Sequence, residues 1–224
     1  MYHFSSEHLI RSCPLPKSML SHKSADNLTI KSAKFEPLSL FLKRNKKHLE
    51  YSMMEKMIES IGRQLHHLEV ENKGISSFNL DDITVFYADA DTTDTTTDTT
   101  AAADIHFAIT NDDKIHDIDD EQQLIIATPY HKEYTATTAT AKNLAFHSPE
   151  FKEFVDKKTL PYKLHFKSGY YSFGLLCLYC YVSRNAADAT ALEQVLAPIV
   201  NTKIYWFLKW VLQEHPSERR YICV

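Results

Sequence analysis

The feature of this sequence that most constrains its fold is the run from Tyr170 to Val182, which is apolar on nearly every side of a helix. A helix that is apolar all round is buried, whereas a surface helix has an apolar stripe on one face only. The 224 residues of the chain are 44% hydrophobic and 24% charged, which allows a sizeable core. We therefore expect a folded domain with this helix inside it.

Three short motifs occur in order around this run: Ser148-Pro149-Glu150, the stretch Lys167 to Gly174, and His215 to Arg219. They resemble the Ala-Pro-Glu that closes the activation segment of a protein kinase, the Ser-Asp-x-Trp-Ser-x-Gly that opens its central helix, and the Asp-Pro-x-x-Arg near its end. In kinases that Glu and that Arg form a buried ion pair, and an unpaired buried charge costs about 3–5 kcal/mol. The resemblance therefore implies that Glu150 and Arg219 pair.

The resemblance covers residues 34–224 and implies the fold class, which is mainly α (α+β) and similar to a protein kinase C-terminal lobe with small β-hairpins. Residues 1–33 are too few for a five-stranded N-terminal lobe with a helix, at about 5–6 residues per strand plus turns. We expect an irregular arm there, with one remnant edge strand at Leu28 to Ser32, so that the N-terminal lobe is missing or vestigial. Its absence should leave an apolar patch, which is typical of a partner site or a self-association surface.

The positions that carry catalysis in kinases are altered in this chain. Only four glycines occur, and none is placed to form the Gly-rich loop that approaches the ATP phosphates. By the resemblance, the catalytic Asp falls at Ser77, and a neutral hydroxyl cannot hold the substrate proton as a carboxylate does. The metal-binding Asn falls at Asp82, and the Asp that anchors the catalytic loop falls at Gly169. We therefore predict no catalytic residue and a loop that is no longer held for chemistry.

Asp117 stands where the magnesium-binding Asp of kinases would be, because Lys114 to Asp119 resembles their Lys-x-x-Asp-Phe-Gly. Asp82 and Asp117 are the weak candidates for a cofactor site, since two carboxylates could hold a cation. Without a Gly-rich loop or a phosphate-pairing Lys, tight ATP binding is not expected. The other interpretation of this stretch is a solvated acidic turn from Asp117 to Glu121.

The function implied by this resemblance is binding and not catalysis. We expect a pseudokinase that needs no cofactor and binds a protein partner, such as a kinase or a kinase substrate. Two alternatives stay open. One is an active serine/threonine protein kinase-type phosphotransferase that uses ATP and magnesium, with its small lobe supplied by another chain. The other is a structural protein on an unrelated helical fold.

Charge and hydropathy argue against two kinds of partner. A net charge of −4 and a pI near 6.3 disfavour a general nucleic-acid binder. No stretch reaches the roughly 18 apolar residues of a membrane span, and Met1 to Ile10 lacks the pattern of a signal peptide. The four cysteines are too scattered for a disulfide framework, and Cys177 and Cys180 are expected to be buried thiols. These features predict an intracellular, cytoplasmic protein.

Four local expectations concern single segments. The stretch Asp89 to Asp104 is rich in Thr, Asp and Ala, which predicts a disordered surface insertion. Thr135 to Thr140 is predicted to be a flexible linker, with phosphorylation as the alternative. The alternating residues from Ile105 to Ile118 predict a hairpin. A helix is predicted to begin at Ser52, with a capping box formed by Ser52 and Glu55.

Overall fold

The computed structural model describes residues 1–4, 6–24, 27–45, 48–88, 104–126, 146–157, 160–182 and 189–221. Within these ranges the chain has a mixed α+β structure, with helices and small antiparallel sheets. The predicted insertion at 89–104, except Asp104, and the Thr-rich stretch 135–140 lie outside the described residues.

The N-terminal elements are β1 (Tyr2–Phe4), α1 (Glu7–Ser12), β2 (Leu20–Lys23) and β3 (Leu28–Ile30). The three strands form one antiparallel sheet in the order β1-β3-β2. The irregular arm expected at 1–33 is therefore wrong, and so is the edge position of its strand, because β3 lies between two partners. Leu28 and Ile30 are completely buried in the main hydrophobic core, and this burial explains why the segment is ordered.

The middle of the chain contains β4 (Lys34–Pro37), α2 (Leu38–Arg44), α3 (Tyr51–Val70), β5 (Lys73–Ile75), β6 (Ile83–Tyr87), β7 (Ile105–Ile109), β8 (Ile115–Asp117) and β9 (Gln123–Ile126). Strand β6 lies between β4 and β7, and β5 pairs with β8. The hairpin predicted across Ile105 to Ile118 is wrong, because β7 and β8 each pair with an earlier strand. Alternating residues identify a strand but do not identify its partner.

Helix α3 keeps the predicted period but not the predicted start. It begins at Tyr51, and its N-cap residue Glu50 makes no side-chain capping bond. The capping box predicted at Ser52 and Glu55 therefore does not form. The residues that recur with helical period are all buried: Met54, Met57, Ile58, Ile61, Leu65 and Leu68.

The C-terminal elements are α4 (Pro149–Lys157), β10 (Tyr162–His165), α5 (Ser168–Val182), α6 (Ala189–Leu196) and α7 (Lys203–Val211). Strand β10 pairs with β9. Helix α5 contains the apolar run, and its burial is confirmed, since Phe173, Leu176 and the thiols of Cys177 and Cys180 are inaccessible to solvent. It packs against α3 and α7. Among the described residues, no helix has the length and apolar character needed to cross a membrane.

Candidate functional site

The residues matched to kinase catalytic positions lie on the loop between β5 and β6 and on strand β8. These two segments are neighbours, because β5 and β8 pair with Lys73 opposite Asp117. Just beyond the paired strands, the backbone N–H of Ser76 donates to the Lys114 carbonyl at 3.1 Å. The start of the loop and the segment that carries Asp117 therefore form one region of the molecule.

Asp82 is buried in a network that uses both of its carboxylate oxygens. Lys114 Nζ donates to Oδ2 at 2.7 Å, and the backbone N–H of Asn79 donates to the same oxygen at 2.6 Å. Asn111 Nδ2 donates to Oδ1 at 2.8 Å. The side chains of Asp82 and Lys114 are only 7% and 5% exposed. Hydrogen bonds of this kind are what a buried ion pair needs to offset its desolvation, so a metal ion at Asp82 would have to displace Lys114.

Asp117 lies at the surface. Its side chain is 72% exposed and forms an ion pair with Lys73, whose hydrogen bond is the main cause that lowers the pKa of this carboxyl. Asp82 and Asp117 therefore form ion pairs with two different lysines, Lys114 and Lys73. Within the described ranges, no group of three or more His, Cys, Asp or Glu side chains could hold a metal ion. Asp117 is therefore a solvent-exposed carboxylate at the end of β8, before the acidic turn.

Ser77, to which the resemblance assigns the position of the catalytic base, is completely buried. Its hydroxyl oxygen has no hydrogen-bond partner among the described residues. The neighbouring Ser76 is also inaccessible to solvent. A substrate hydroxyl cannot approach a side chain that solvent cannot reach, so this part of the loop presents no proton acceptor to a substrate.

Two serines at the start of α5 hold this loop. The backbone N–H of Phe78 donates to Ser172 Oγ at 2.7 Å, and Ser168 Oγ donates to the Ser76 carbonyl at 3.1 Å. Both serines are completely buried. The backbone of this loop is therefore held by serine hydroxyls of α5. The expectation that the loop is no longer held for chemistry concerns catalysis and stays a prediction.

Two further contacts fix the same end of α5. Gly169 packs against the backbone of Ile75, where a Cβ would lie 2.2 Å from the carbonyl oxygen. Ser168 Oγ is 2.6 Å from Ser148 Oγ, which in turn accepts from the backbone N–H of Phe151 at 3.2 Å. The start of α4, the start of α5 and the loop are thus joined through buried hydroxyl groups.

Arg219 and Glu150 form a bidentate ion pair through Nη1 to Oε1 and Nη2 to Oε2, the latter at 3.0 Å. Arg219 is completely buried. Its Nε donates to the Gln213 carbonyl and its Nη2 to the Glu214 carbonyl, both at 2.8 Å. The guanidinium also lies 4.7 Å from the centre of the Tyr171 ring. The contact implied by the two sequence motifs is therefore present, and it joins α4 to the C-terminal segment over the start of α5.

His147 is a residue of this region that the sequence did not reveal. It is completely buried, with its ring 4.5 Å from that of Phe151. Burial, followed by the positive charges of Lys114 and Lys152, lowers its pKa to about 3. It is therefore neutral at pH 7. The one feature of the sequence that could have indicated a role for His147 is its position directly before the Ser148-Pro149-Glu150 motif.

Aromatic side chains of the N-terminal sheet cover β4 and β6. The Tyr2 ring is 5.1 Å from that of Phe35 and 5.2 Å from that of Phe86, and Phe4 is 6.4 Å from Phe86. Phe4 and Phe86 are buried by this packing, while Phe35 is 40% and Leu40 is 49% exposed. The apolar patch expected from a missing lobe is therefore largely covered by the chain itself.

No protein-family model matches this chain, and no curated protein is significantly similar to it. The resemblance to kinases therefore rests on the sequence motifs and on the contacts among them.

Proposed function

We propose that this chain is a catalytically inactive kinase-like protein, a pseudokinase, that acts as a binding or regulatory module. The observation that carries the proposal is the network at Asp82, whose two oxygens are occupied by Lys114, Asn111 and a backbone amide. In kinases the residue at this position holds magnesium together with the Asp of Asp-Phe-Gly. Here a buried ammonium group supplies the positive charge instead.

The contacts between the matched motifs support a kinase-like C-terminal lobe. Arg219 pairs with Glu150, so the first and third motifs meet. Ser172, which matches the serine of the second motif, accepts a hydrogen bond from the loop matched to the catalytic loop. Strands β5 and β8 bring that loop beside Asp117. These contacts among the three matched motifs favour the kinase-like lobe over the unrelated helical fold.

The loss of catalysis follows from what phosphoryl transfer requires. The protein contributes almost only positioning and charge stabilisation, through a phosphate-binding loop, a lysine, metal-binding carboxylates and a base near the acceptor hydroxyl. The chain has no Gly-rich loop, Ser77 is buried and Asp82 is bound to Lys114. We therefore propose that no cofactor is needed.

The binding partner that we propose is a protein, either a kinase or a kinase substrate. The net charge of −4 gives no general attraction to nucleic acids. Phe35 on β4, whose ring packs against that of Tyr2 in the N-terminal sheet, is 40% exposed, and Leu40 on α2 is 49% exposed. An exposed apolar patch is typical of partner contacts, and we propose that these two side chains contribute to one.

Nucleotide binding and phosphate transfer test the loss of catalysis. We expect no rise in melting temperature with ATP or ADP plus Mg²⁺ or Mn²⁺, and no transfer of labelled phosphate to generic protein substrates. Asp117→Ala is compared with Asp120→Ala, a matched change of an exposed carboxylate three residues further along the chain. Turnover that is lost in Asp117→Ala and kept in Asp120→Ala would establish the active phosphotransferase instead.

Affinity capture with the full chain tests the binding role. We expect a kinase or a kinase substrate to be captured by the natural chain and lost with Phe35→Asp. Val70→Asp is the matched control, because Val70 is 69% exposed at the end of α3. Equal capture by all three proteins would reject β4 as the contact surface, and the absence of both partner classes would reject the partner assignment.

A further inference from the structure

A cavity of about 270 Å³ lies between the second half of α3, the start of α5 and the segment that follows α7. This is close to the lower end of the volumes of small-molecule sites, about 300–1,000 Å³. Its lining combines aromatic rings with charged groups, and it includes none of the residues matched to catalytic positions. The lining residues that matter here are Glu69, Phe166, Lys167, Tyr170, Arg220 and Tyr221.

Glu69 is incompletely bonded in this cavity. Its Oε1 is buried and has no hydrogen-bond partner among the described residues. Burial raises the pKa of Glu69 to about 7, and the charge of Lys167 only partly opposes the shift. A buried carboxylate without hydrogen bonds is costly, and such groups in native proteins call for a bound proton or partner.

Positively charged side chains line the same cavity as Glu69. Burial lowers the pKa of Lys167, and among the described residues neither Lys167 nor Arg220 has a carboxylate within ion-pair distance. The Arg220 guanidinium is placed by the Trp210 ring, whose centre is 5.5 Å away. Arg219 also lines the cavity, but its charge is balanced by Glu150. Once Glu69 is protonated, the cavity therefore holds two cations without a counter-ion.

We propose that this cavity binds a small organic anion with a flat, ring-like body. Its acidic group, a phosphate, sulfonate or carboxylate, is held by Lys167 and Arg220 and accepts a hydrogen bond from protonated Glu69. Cation-to-anion hydrogen bonds of this type are the strong ones. The rings of Phe166, Tyr170 and Tyr221 contact the body of the ligand. The site is independent of the proposed pseudokinase function, because it shares no residue with the network at Asp82.

The affinity should depend on pH in a defined direction. An anion favours the protonated form of Glu69, so binding is tighter at low pH and weakens as Glu69 ionises. With a pKa of about 7, the protonated fraction falls about tenfold between pH 6 and pH 8. Histidine is the other side-chain type that titrates in this range. The other titratable or charged groups that line the cavity are His66, on the same helix as Glu69, and Lys167, Tyr170, Arg219, Arg220 and Tyr221 on the segments packed against that helix.

Calorimetric titration with benzenesulfonate tests the proposal, because the charge of this probe is constant from pH 6 to pH 8. For the natural chain we expect a dissociation constant about tenfold higher at pH 8, from the ionisation of Glu69. Glu69→Gln keeps a hydrogen-bond donor without a charge, so its affinity should vary little with pH. A His66→Gln variant shows whether any pH dependence of the affinity that remains in Glu69→Gln comes from His66.

Arg220→Gln should weaken binding about tenfold at pH 6, the size of one charge-assisted hydrogen bond. Arg63→Gln is the matched control and should not change the affinity. Arg63 lies on α3, the helix of Glu69, but it pairs with Glu59 at the surface and does not line the cavity. Circular dichroism and melting check that each variant folds. The proposal is rejected if Glu69→Gln binds no benzenesulfonate at millimolar concentration, or if Arg63→Gln weakens binding as much as Arg220→Gln. Neither result would affect the nucleotide tests.

Discussion

Gly169 packs against the backbone of Ile75 so closely that a Cβ on residue 169 would lie 2.2 Å from the Ile75 carbonyl oxygen. The contact joins the start of α5 to the end of β5, directly before the loop that contains Ser77. A backbone carbonyl cannot turn aside as a side chain can, so no larger residue fits without moving the loop. The position that the kinase resemblance assigns to an anchoring carboxylate therefore serves here as a point of close packing.

Gly169→Ala should destabilise the protein by about 1–3 kcal/mol, the usual cost of forcing an extra methyl group into a packed site. Gly174→Ala in the same helix is the control. Its Cβ would lie 2.6 Å from the Val211 side chain and 2.9 Å from the Leu212 side chain, so these must shift, but the three atoms nearest to it belong to side chains and not to the backbone, and alanine favours a helix by up to about 1 kcal/mol. Chemical denaturation measures both variants. A loss no larger for Gly169→Ala than for Gly174→Ala would contradict the backbone contact.

Arg219→Ala should lower the free energy of unfolding by about 3 kcal/mol, because it leaves Glu150 and several carbonyls without their partner. Glu150→Ala should also destabilise, since it leaves a buried guanidinium unpaired. The double variant should lose less than the sum of the two single losses, because the two side chains are coupled. Urea denaturation of the four proteins gives the coupling energy, and a value near zero would contradict a buried pair.

His147 should make the protein less stable as the pH falls. Its pKa is about 3 in the folded chain and 6.5 in the unfolded chain, so the unfolded state takes up the proton first. The stability from this group is fully present above pH 6.5 and is lost as the pH falls towards 3. Between pH 7 and pH 5 the loss is about 2 kcal/mol.

Denaturation of His147→Gln at pH 7 and pH 5 measures this contribution. Between pH 7 and pH 5 the variant should lose about 2 kcal/mol less free energy of unfolding than the natural chain loses. Burial is the main cause that lowers the pKa of His116 to about 4. His116 therefore also makes stability fall with pH, and it does so equally in the natural chain and in His147→Gln. His22→Gln changes an exposed histidine and serves as control. An unchanged pH slope in His147→Gln would show that the ring is not excluded from water.

The insertion between β6 and β7 should be dispensable. Its flanks already meet, because the backbone N–H of Ala88 donates to the Asp104 carbonyl at 2.9 Å. Replacing residues 89–103 by Asn-Gly, a favoured two-residue hairpin turn, keeps Asp104 and its exposed ion pair with Lys56. A flexible loop costs only about 0.6 kcal/mol per doubling of length, so melting should change little. A large drop in melting temperature would show that the segment packs or binds an ion.

Local patterns in the sequence predicted which helix faces are buried. The apolar run after Lys167 predicted the burial of α5, and the spacing of Met54 to Leu68 predicted the inner face of α3. Such periodicity can be recognised without knowing the path of the chain, because burial requires apolar side chains on the buried side of a helix. The contact between Glu150 and Arg219, which are 69 residues apart, was predicted by the resemblance of two motifs to a kinase lobe, in which the buried charge has its partner.

The meeting of distant segments depended on the tertiary structure. It paired β5 with β8 instead of forming a hairpin from Ile105 to Ile118, and it gave the N-terminal segment a sheet and a place in the core. It also placed Lys114 on Asp82, and among the described residues it left the Oε1 atom of Glu69 without a hydrogen-bond partner. Strand pairing, the pair of Lys114 with Asp82 and shifted pKa values arise from neighbours that are remote in sequence, and residue periodicity does not identify such neighbours.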